Sequence, residues 1–287
     1  MKQVKYWIEA MRLRTLPVSV AGVITALAFN IADGSFLWTP AILCLVFAIL
    51  CQIASNFANE YYDYRAGRDR VGREGPRRGV TEGEITPHAM KMATFGVLAV
   101  AAITGLSLTI WGGLWLIIAG ALIGLGVLAY STGPWPLSTH CMGEVAVIFF
   151  FGIIPVNLTY YVQALSWSAD VALASIAIGL MGANVLIVNN YRDIEDDKAV
   201  GKHTLATVFG RKAMLILYMA NALIATFILT NYTTGAWLTM PIAYACLSFV
   251  VVKGMSKNSG ARLTPFLGIT SVLMLLCSLC LLLSFCI

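Results

Sequence analysis

Two short stretches of an otherwise apolar chain carry the residues able to do chemistry. The first, CQIASNFANEYYDYRAGRD over 51–69, spaces Asn56, Asn59 and Asp63 at steps of three and four. That spacing puts all three on one helical face. Gly67 offers a break, and Asp69 lies just beyond it. The second, VLIVNNYRDIEDD over 185–197, repeats the plan with Asn189, Asp193 and Asp197 four apart and Asp196 beside them. The interval from Asn59 to Asn189 equals that from Asp63 to Asp193. Carboxylates at the ends of apolar helices are costly, and by default they mark a functional site. Their oxygens are hard ligands, and Mg2+ takes one or two carboxylates together with waters and substrate phosphate. An Asn one turn before each Asp is placed to ligate or to orient the carboxylate.

Each cluster runs directly into a basic segment. Residues 62–90 hold Arg65, Arg68, Arg70, Arg73, Arg77 and Arg78; residues 191–212 hold Arg192, Lys198, Lys202, His203 and Arg211. Such side chains suit the remaining oxygens of a phosphate. One copy alone would read as a solvated helix end with loop ion pairs. Two copies in matching places read as one metal–phosphate site built from two halves. There is no Gly-x-x-x-x-Gly-Lys-Ser/Thr loop for a nucleotide. His88, His140 and His203 are too scattered for a zinc cluster, and the acids do not fit the D-x-x-D-G-x-x-A-R pattern of CDP-alcohol phosphotransferases.

The elements that position these residues are transmembrane helices. The chain has 287 residues, 59% hydrophobic and 11% charged, with mean hydropathy +0.81. A soluble domain averages about 25% charged residues. At about 20 apolar residues per crossing, nine spans are expected, near 15–32, 36–57, 90–110, 114–131, 143–162, 170–190, 213–230, 236–253 and 264–286. With the N-terminus inside, all 19 Lys and Arg residues fall in inner segments or at inner helix ends. The positive-inside rule therefore favours this topology, with the C-terminus outside and both acidic clusters on the cytoplasmic face. The expected fold is a single all-α membrane domain over 1–287. It divides into two four-helix halves, about 15–131 and 143–253, plus a ninth helix over 264–286, an arrangement known from parallel repeats. The basic residues sit in short loops between spans, so no nucleic-acid partner is indicated. The seven cysteines lie mostly in apolar runs, and no disulfide is expected. Residues 1–14 are too polar for the apolar region of a cleavable signal.

At these residues the chain resembles the UbiA superfamily of intramembrane aromatic prenyltransferases, over nearly its whole length. NEYYDYRAGRD (59–69) is similar to the family's first aspartate motif, NNYRDIEDD (189–197) to its second, and GKHTLATVFG (201–210) to the segment that follows. RLRTLPVS (12–19), GPRRGVTEGEIT (75–86) and YSTGPWPLSTHCMGE (130–144) with the following FFFG resemble the branch acting on 1,4-dihydroxy-2-naphthoate in menaquinone synthesis. Glu60 stands where Asp is commoner in this branch, and His203 where Arg or Asn is common.

The resemblance implies nine helices around a lipid-open cavity with its polar site at the cytoplasmic side of the cell membrane. It implies a polyprenyl diphosphate held through Mg2+, two ions bridging the diphosphate, and transfer of the prenyl chain to the naphthoate ring with loss of carbon dioxide. Asp63, Asp69, Asp193 and Asp197 would hold metal, with Asp196 competing with Asp197. Asn59 and Asn189 would ligate or support. Arg77, Arg78 and Lys202 would contact the diphosphate, with Arg65, Arg68 and Arg192 as further candidates. Tyr130 faces the prenyl cation or belongs to an interfacial aromatic belt. Glu144 takes a phenolic proton or is a buried loop carboxylate. Arg12 and Arg14 meet the acceptor carboxylate or anchor the inner leaflet. Asn56 lies deeper and equally suits helix–helix hydrogen bonding. Two rivals remain open from the residues: another aromatic acceptor, such as 4-hydroxybenzoate or homogentisate, and a cation-coupled transporter.

Overall fold

Backbone groups inside lipid must be satisfied internally, so only helices and closed barrels span a bilayer. This chain takes the first solution. The computed structural model describes residues 2–286, and among them the only strand pairing is a single bridge between His140 and His203. In chain order the helices are α1 (Lys2–Met11), α2 (Leu16–Ala32), α3 (Trp38–Arg65), α4 (Pro87–Ser107) and the single turn α5 (Thr109–Gly112). Then come α6 (Leu116–Ala129) and α7 (Gly143–Val147), which continues through a π-helical turn, Ile148–Ile153, into α8 (Ile154–Ala164). The rest are α9 (Ala169–Arg192), α10 (Ile194–Ala199), α11 (Leu205–Thr230), α12 (Thr239–Lys257) and α13 (Thr264–Cys286).

Among the described residues, 8 helical stretches are long and apolar enough to cross a membrane. The expected fourth crossing is α6, which has 14 residues. At 1.5 Å per residue it is about 21 Å long, short of a hydrocarbon core of ~30 Å. The nine expected spans therefore stand as eight long helical stretches and this shorter one. In the other direction, α3 does not stop near residue 57. It has 28 residues, about 42 Å, and carries its regular backbone straight through Asn59 and Asp63.

Local sequence explains the ends. Thr86 caps α4, accepting from the Ala89 N–H, with Pro87 in the first turn where its missing N–H leaves nothing unpaired. Thr204 and Thr207 form a reciprocal capping box at the start of α11. The main core lies between α2, α9, α11, α12 and α13, around Ile178, Met181, Tyr218, Tyr244 and Met274. On the far side, large apolar side chains such as Ile103 (α4), Leu122 (α6), Phe227 (α11) and Phe249 (α12) are exposed, as lipid-facing positions are. The seven cysteines are unpaired.

Lipid tails are as apolar as leucine, so helices gain by close packing through small residues. Here the π-helical turn is pressed between α2 and α9. A Cβ added at Gly152 would stand 2.4 Å from Gly179 Cα, and one at Gly22 would stand 2.8 Å from the Phe151 carbonyl oxygen. Backbone faces backbone at both points, so no rotamer change gives relief. Gly152→Ala is expected to lower the melting temperature of the purified protein, since overpacking costs typically about 1–3 kcal/mol. A thermal melt in detergent unchanged by that substitution would contradict the contact.

Candidate active site

Both acidic clusters end in the same backbone turn. At the end of α3, the Arg68 N–H donates to the Asp63 carbonyl (2.8 Å) and the Gly67 N–H to the Tyr64 carbonyl (3.0 Å). At the end of α10, the Lys202 N–H donates to the Asp197 carbonyl (2.9 Å) and the Gly201 N–H to the Lys198 carbonyl (3.2 Å). Gly67 and Gly201 have φ of 67° and 69°, the left-handed conformation this helix stop requires. Each turn thus presents an Asp, a glycine and a cation in fixed register: Asp63–Gly67–Arg68 and Asp197–Gly201–Lys202. By this geometry Asp63 corresponds to Asp197, one turn along from the spacing-based match to Asp193.

Two cations then join the clusters. Lys202 Nζ lies 3.0 Å from Asp63 Oδ2 and 3.8 Å from Asp197 Oδ1. Arg73 donates to Asp69 Oδ1 at 2.5 Å and to Asp193 Oδ2 at 2.9 Å. Asp193 also accepts from Arg192 Nε at 2.6 Å, and Arg192 Nη2 reaches Asn189 Oδ1 at 2.8 Å. Asn59 is the hub of the first cluster. Its Nδ2 donates to Asp63 and to Ser131, and its Oδ1 accepts from Arg12 (2.7 Å) and Arg78 (3.2 Å). Asp63 Oδ1 and Asp69 Oδ2 are buried without a hydrogen-bond partner, as are Arg78 Nε and Nη1. Arg78 Nε stands 3.4 Å from Asp69 Oδ2 and Arg68 Nη1 3.6 Å from Asp63 Oδ1, so these contacts are ion pairs without hydrogen-bond geometry, and only Arg78 Nη1 has no partner of either kind.

Burial and charge set the protonation of the acids outside the spans. Burial pushes Asp69 up despite Arg73. Burial also pushes against ionised Asp193, but the Arg192 hydrogen bond and the charges of Arg192, Arg73 and Lys202 outweigh it and hold that carboxyl low. Asp197 is pushed up to about 6 by burial, which Lys202 only partly offsets and to which Asp193 adds.

Part of the network lines a polar cavity with an empty volume of about 970 Å3, walled by Arg12, Arg73, Arg78, Lys202, Asn59, Asn189, Asp193 and Asp197; Asp63 and Asp69 are buried and are not among its lining residues. A second cavity of about 1060 Å3 is walled mainly by apolar side chains, between α6 (Gly120, Ile123, Gly126) and the α7–α8 segment (Phe150, Phe151, Leu158). Gln52, Ser55, Tyr130, Val147 and Phe151 line both, so one space passes into the other. Gly126 makes room for Phe150, whose ring lies 2.2 Å from where a Cβ would be.

Not every expected residue reaches this space. Arg77 is exposed and pairs with Glu84 at 2.5 Å and Glu82 at 3.8 Å, outside the cavity. Asp196 turns away to hold Arg70 and the Glu74 N–H, tying the 66–86 loop to α10. Arg65 contacts Tyr61, Arg68 stands 3.6 Å from Asp63, and Arg14 is exposed. Asn56 donates to the Met11 carbonyl and so serves packing. Arg73 and Arg12 are the positions that spacing understated. Arg73 is one arginine among six in the basic segment 62–90. Arg12 has left-handed backbone (φ 52°), which no sequence pattern announces. Glu60 is 1% exposed and accepts from the Val80 N–H at 3.0 Å, pinning the loop that carries Arg78. His203 contributes its backbone: its carbonyl accepts from the Cys141 N–H at 2.7 Å, anchoring Lys202 beside the 131–142 loop.

Comparison with known proteins agrees with this architecture. The model of the UbiA prenyltransferase family matches residues 19–273. A 1,4-dihydroxy-2-naphthoate octaprenyltransferase of Haemophilus influenzae is 32% identical over 96% of this chain and 94% of its own. One of Mycobacterium tuberculosis is 34% identical over 95% of this chain and 94% of its own. Among solved structures, a UbiA homolog from Archaeoglobus fulgidus bound to DMAPP and Mg2+ superposes with TM-score 0.66 at 16% identity, covering 96% of this chain and 98% of that one. The chain belongs to the UbiA prenyltransferase family.

The raised Asp197 gives a test in metal-free buffer with EDTA. Its carboxyl is held above the ordinary carboxylate value of about 4, so folding disfavours its ionised form. Its contribution to stability is full at acid pH and is lost as pH rises through about 6. The wild-type melting temperature is expected to rise relative to that of Asp197→Asn as pH falls from about 7 to about 5. Parallel pH profiles for the two proteins would contradict the placement.

Proposed function

We propose that this member of the UbiA prenyltransferase family transfers a polyprenyl chain from its diphosphate to 1,4-dihydroxy-2-naphthoate, releasing carbon dioxide and diphosphate and giving demethylmenaquinol. The observation that carries the reading is the pairing of cavities. A polar chamber ringed by cations and acids opens directly into an apolar one. The substrate has the same two-part character, a charged head joined to a long hydrocarbon tail. The names of the relatives support the acceptor, and the neighbouring structure with DMAPP and Mg2+ supports the donor and a divalent metal.

The residues present fit a divalent cation that shares its shell with a phosphate. Asp63 Oδ1 and Asp69 Oδ2 accept no hydrogen bond and face only the longer contacts of Arg68 (3.6 Å) and Arg78 (3.4 Å). Among the described residues no three His, Cys, Asp or Glu side chains converge on one point. That donor set suits Mg2+, which takes one or two carboxylates and completes its shell with water and substrate oxygens. Asp63 and Asp69 in one half, with Asp193 and Asp197 in the other, would hold two such ions; Asp196 is committed to the loop. Bound Mg2+ supplies charge neutralisation at the diphosphate leaving group.

The chain's own groups do the rest. Arg78, whose Nη1 has no partner, and Lys202 take diphosphate oxygens, and Arg73 is placed to release Asp69 and Asp193 to metal and turn to phosphate. Stabilising the departing diphosphate lets the allylic C–O bond ionise. Tyr130 lies where the cavities meet and presents an aromatic face to the developing prenyl cation. The ring carbon bearing the carboxylate attacks that cation, carbon dioxide leaves, and tautomerisation restores the aromatic ring. The two halves, about 15–131 and 143–253, each bring one acid cluster to the cytoplasmic face of the cell membrane. The confinement of all 19 Lys and Arg residues to inner segments or inner helix ends supports that orientation.

The test is a mass-spectrometric product assay with purified protein, farnesyl diphosphate, 1,4-dihydroxy-2-naphthoate and Mg2+, run with and without EDTA. The expected product is a prenylated, decarboxylated naphthoquinol that disappears with EDTA. Asp63→Asn and Arg78→Met should each lower turnover by about 10²–10³. Arg77→Met, outside the cavity, should stay within about twofold, as surface changes do. Transfer to 4-hydroxybenzoate in place of the naphthoate would overturn the acceptor. Near-normal turnover of Asp63→Asn would overturn the site.

A further inference from the structure

One buried carboxylate beside the polar cavity has no part in the cation network. Glu144, near the start of α7, is 4% exposed. Asn190 donates to its Oε1 at 3.0 Å, while Oε2 is buried without a partner. No Lys or Arg among the described residues forms an ion pair with it, unlike Asp63, Asp69, Asp193 and Asp197. Glu144 therefore has a duty other than binding the metal or the diphosphate.

Its partner shows what that duty is. Asn190 lines the polar cavity, as do Leu186 one turn before it and Val147 one turn after Glu144. An amide has a donating and an accepting end. Asn190 turns its donating NH2 to Glu144 Oε1. Its Oδ1 is then left to the cavity as an acceptor. A Gln at 144 would impose no such choice, because it could donate to a flipped Asn190. Arg12, Arg73, Arg78 and Lys202 line the same cavity. The chamber thus offers cations for phosphate and carboxylate, and at Asn190 an acceptor for a neutral donor. Tyr130 lies close by, its hydroxyl 3.8 Å from where a Cβ on Gly143 would be.

We propose that Glu144 is a positioning residue that holds Asn190 with its carbonyl facing the cavity, where it accepts a hydrogen bond from a ring hydroxyl of the aromatic acceptor. The inference rests on the reading above that the acceptor is a hydroxylated aromatic acid. The hydrogen bond orients the ring so that the carboxylate-bearing carbon meets the prenyl cation while the carboxylate lies toward the cations. An acceptor whose hydroxyl is masked as an ether has no proton to give and leaves Asn190 Oδ1 unpaired.

The experiment compares 1,4-dihydroxy-2-naphthoate with its two monomethyl ethers, using farnesyl diphosphate and Mg2+, in wild type, Glu144→Gln and Asn190→Ala. Wild type should prefer the free dihydroxy acid over at least one ether by ~tenfold in kcat/KM, the scale of one hydrogen bond to a buried acceptor. Both variants should lose most of that preference and raise KM for the naphthoate, with KM for farnesyl diphosphate unchanged. Wild-type discrimination retained in folded Glu144→Gln, or a parallel rise in both KM values, would overturn the proposal. Equal use of both ethers by wild type would overturn it too. If Glu144→Gln melts early, Asn190→Ala carries the same test. Failure of wild type to prenylate the naphthoate at all would instead overturn the functional reading on which the proposal stands.

Discussion

Arg73 and Lys202 each bind one carboxylate from either half of the chain, Asp69 with Asp193 and Asp63 with Asp197. The rest of the structure depends on this cross-bracing. Four acids gathered near the ends of apolar helices would repel one another, and burying each would be costly without a partner. Removing one partner of such a pair leaves an uncompensated charge behind. The surrounding elements hold the two cations in place. The Schellman turn at Gly201 sets Lys202, and the bridge between His140 and His203 braces it. The 66–86 loop sets Arg73 and is itself held at Val80 by Glu60 and, through Glu74, at the Ala261 N–H. The network is not saturated: Asp69 Oδ2 and Arg78 Nε meet at 3.4 Å, Asp63 Oδ1 and Arg68 at 3.6 Å, and none of these pairs makes a hydrogen bond. Such a site is arranged to exchange internal ion pairs for a ligand that carries charges of both signs.

The second constraint is the join between water-like and lipid-like space. α3 is long enough to carry Gln52 and Ser55 at the junction and Asn59 and Asp63 beyond it, so a single helix lines both cavities. The π-helical turn before α8 turns Phe150 and Phe151 into the apolar side, a use consistent with the frequency of such bulges at functional sites. It does so while wedged backbone to backbone against α2 and α9, which fixes the channel wall in a bilayer that offers little hydrophobic drive for helix association. The short α6, with its outer face apolar and exposed, leaves the apolar cavity covered by a single helix on that side.

Much of this was legible in the sequence. Runs of apolar residues located the crossings; Asp63 and Asp193 stood out because charge is rare in such a chain, and Asn59 and Asn189 because each lies one helical turn before them. The glycine stop at Gly67 was readable as a helix end, whereas the matching stop at Gly201 emerged only from the backbone. What periodicity could not deliver was the direction of side chains in the loops. Arg77 and Arg78 are neighbours, yet one pairs with Glu84 at the surface and the other lines the cavity. Asp196 and Asp197 are neighbours in the same way, and the turn of α10 points them to different partners. Glu60 lies off the Asn59–Asp63 face, as its spacing says, but that face meets a buried loop instead of solvent. The length of α6 and the π-helical turn depend on packing against other helices, which local pattern does not encode.

On the function proposed above, the two cation-braced clusters bind a divalent ion only together with a diphosphate. The most direct measurement is a Mn2+ titration followed by electron paramagnetic resonance, with and without a non-reactive farnesyl thiodiphosphate, on wild type, Asp63→Asn and Asp193→Asn. The account predicts tight Mn2+ binding that requires the thiodiphosphate and is lost when an acid from either cluster is removed. Mn2+ bound equally well without the diphosphate analogue, or retained in either variant at wild-type affinity, would contradict it.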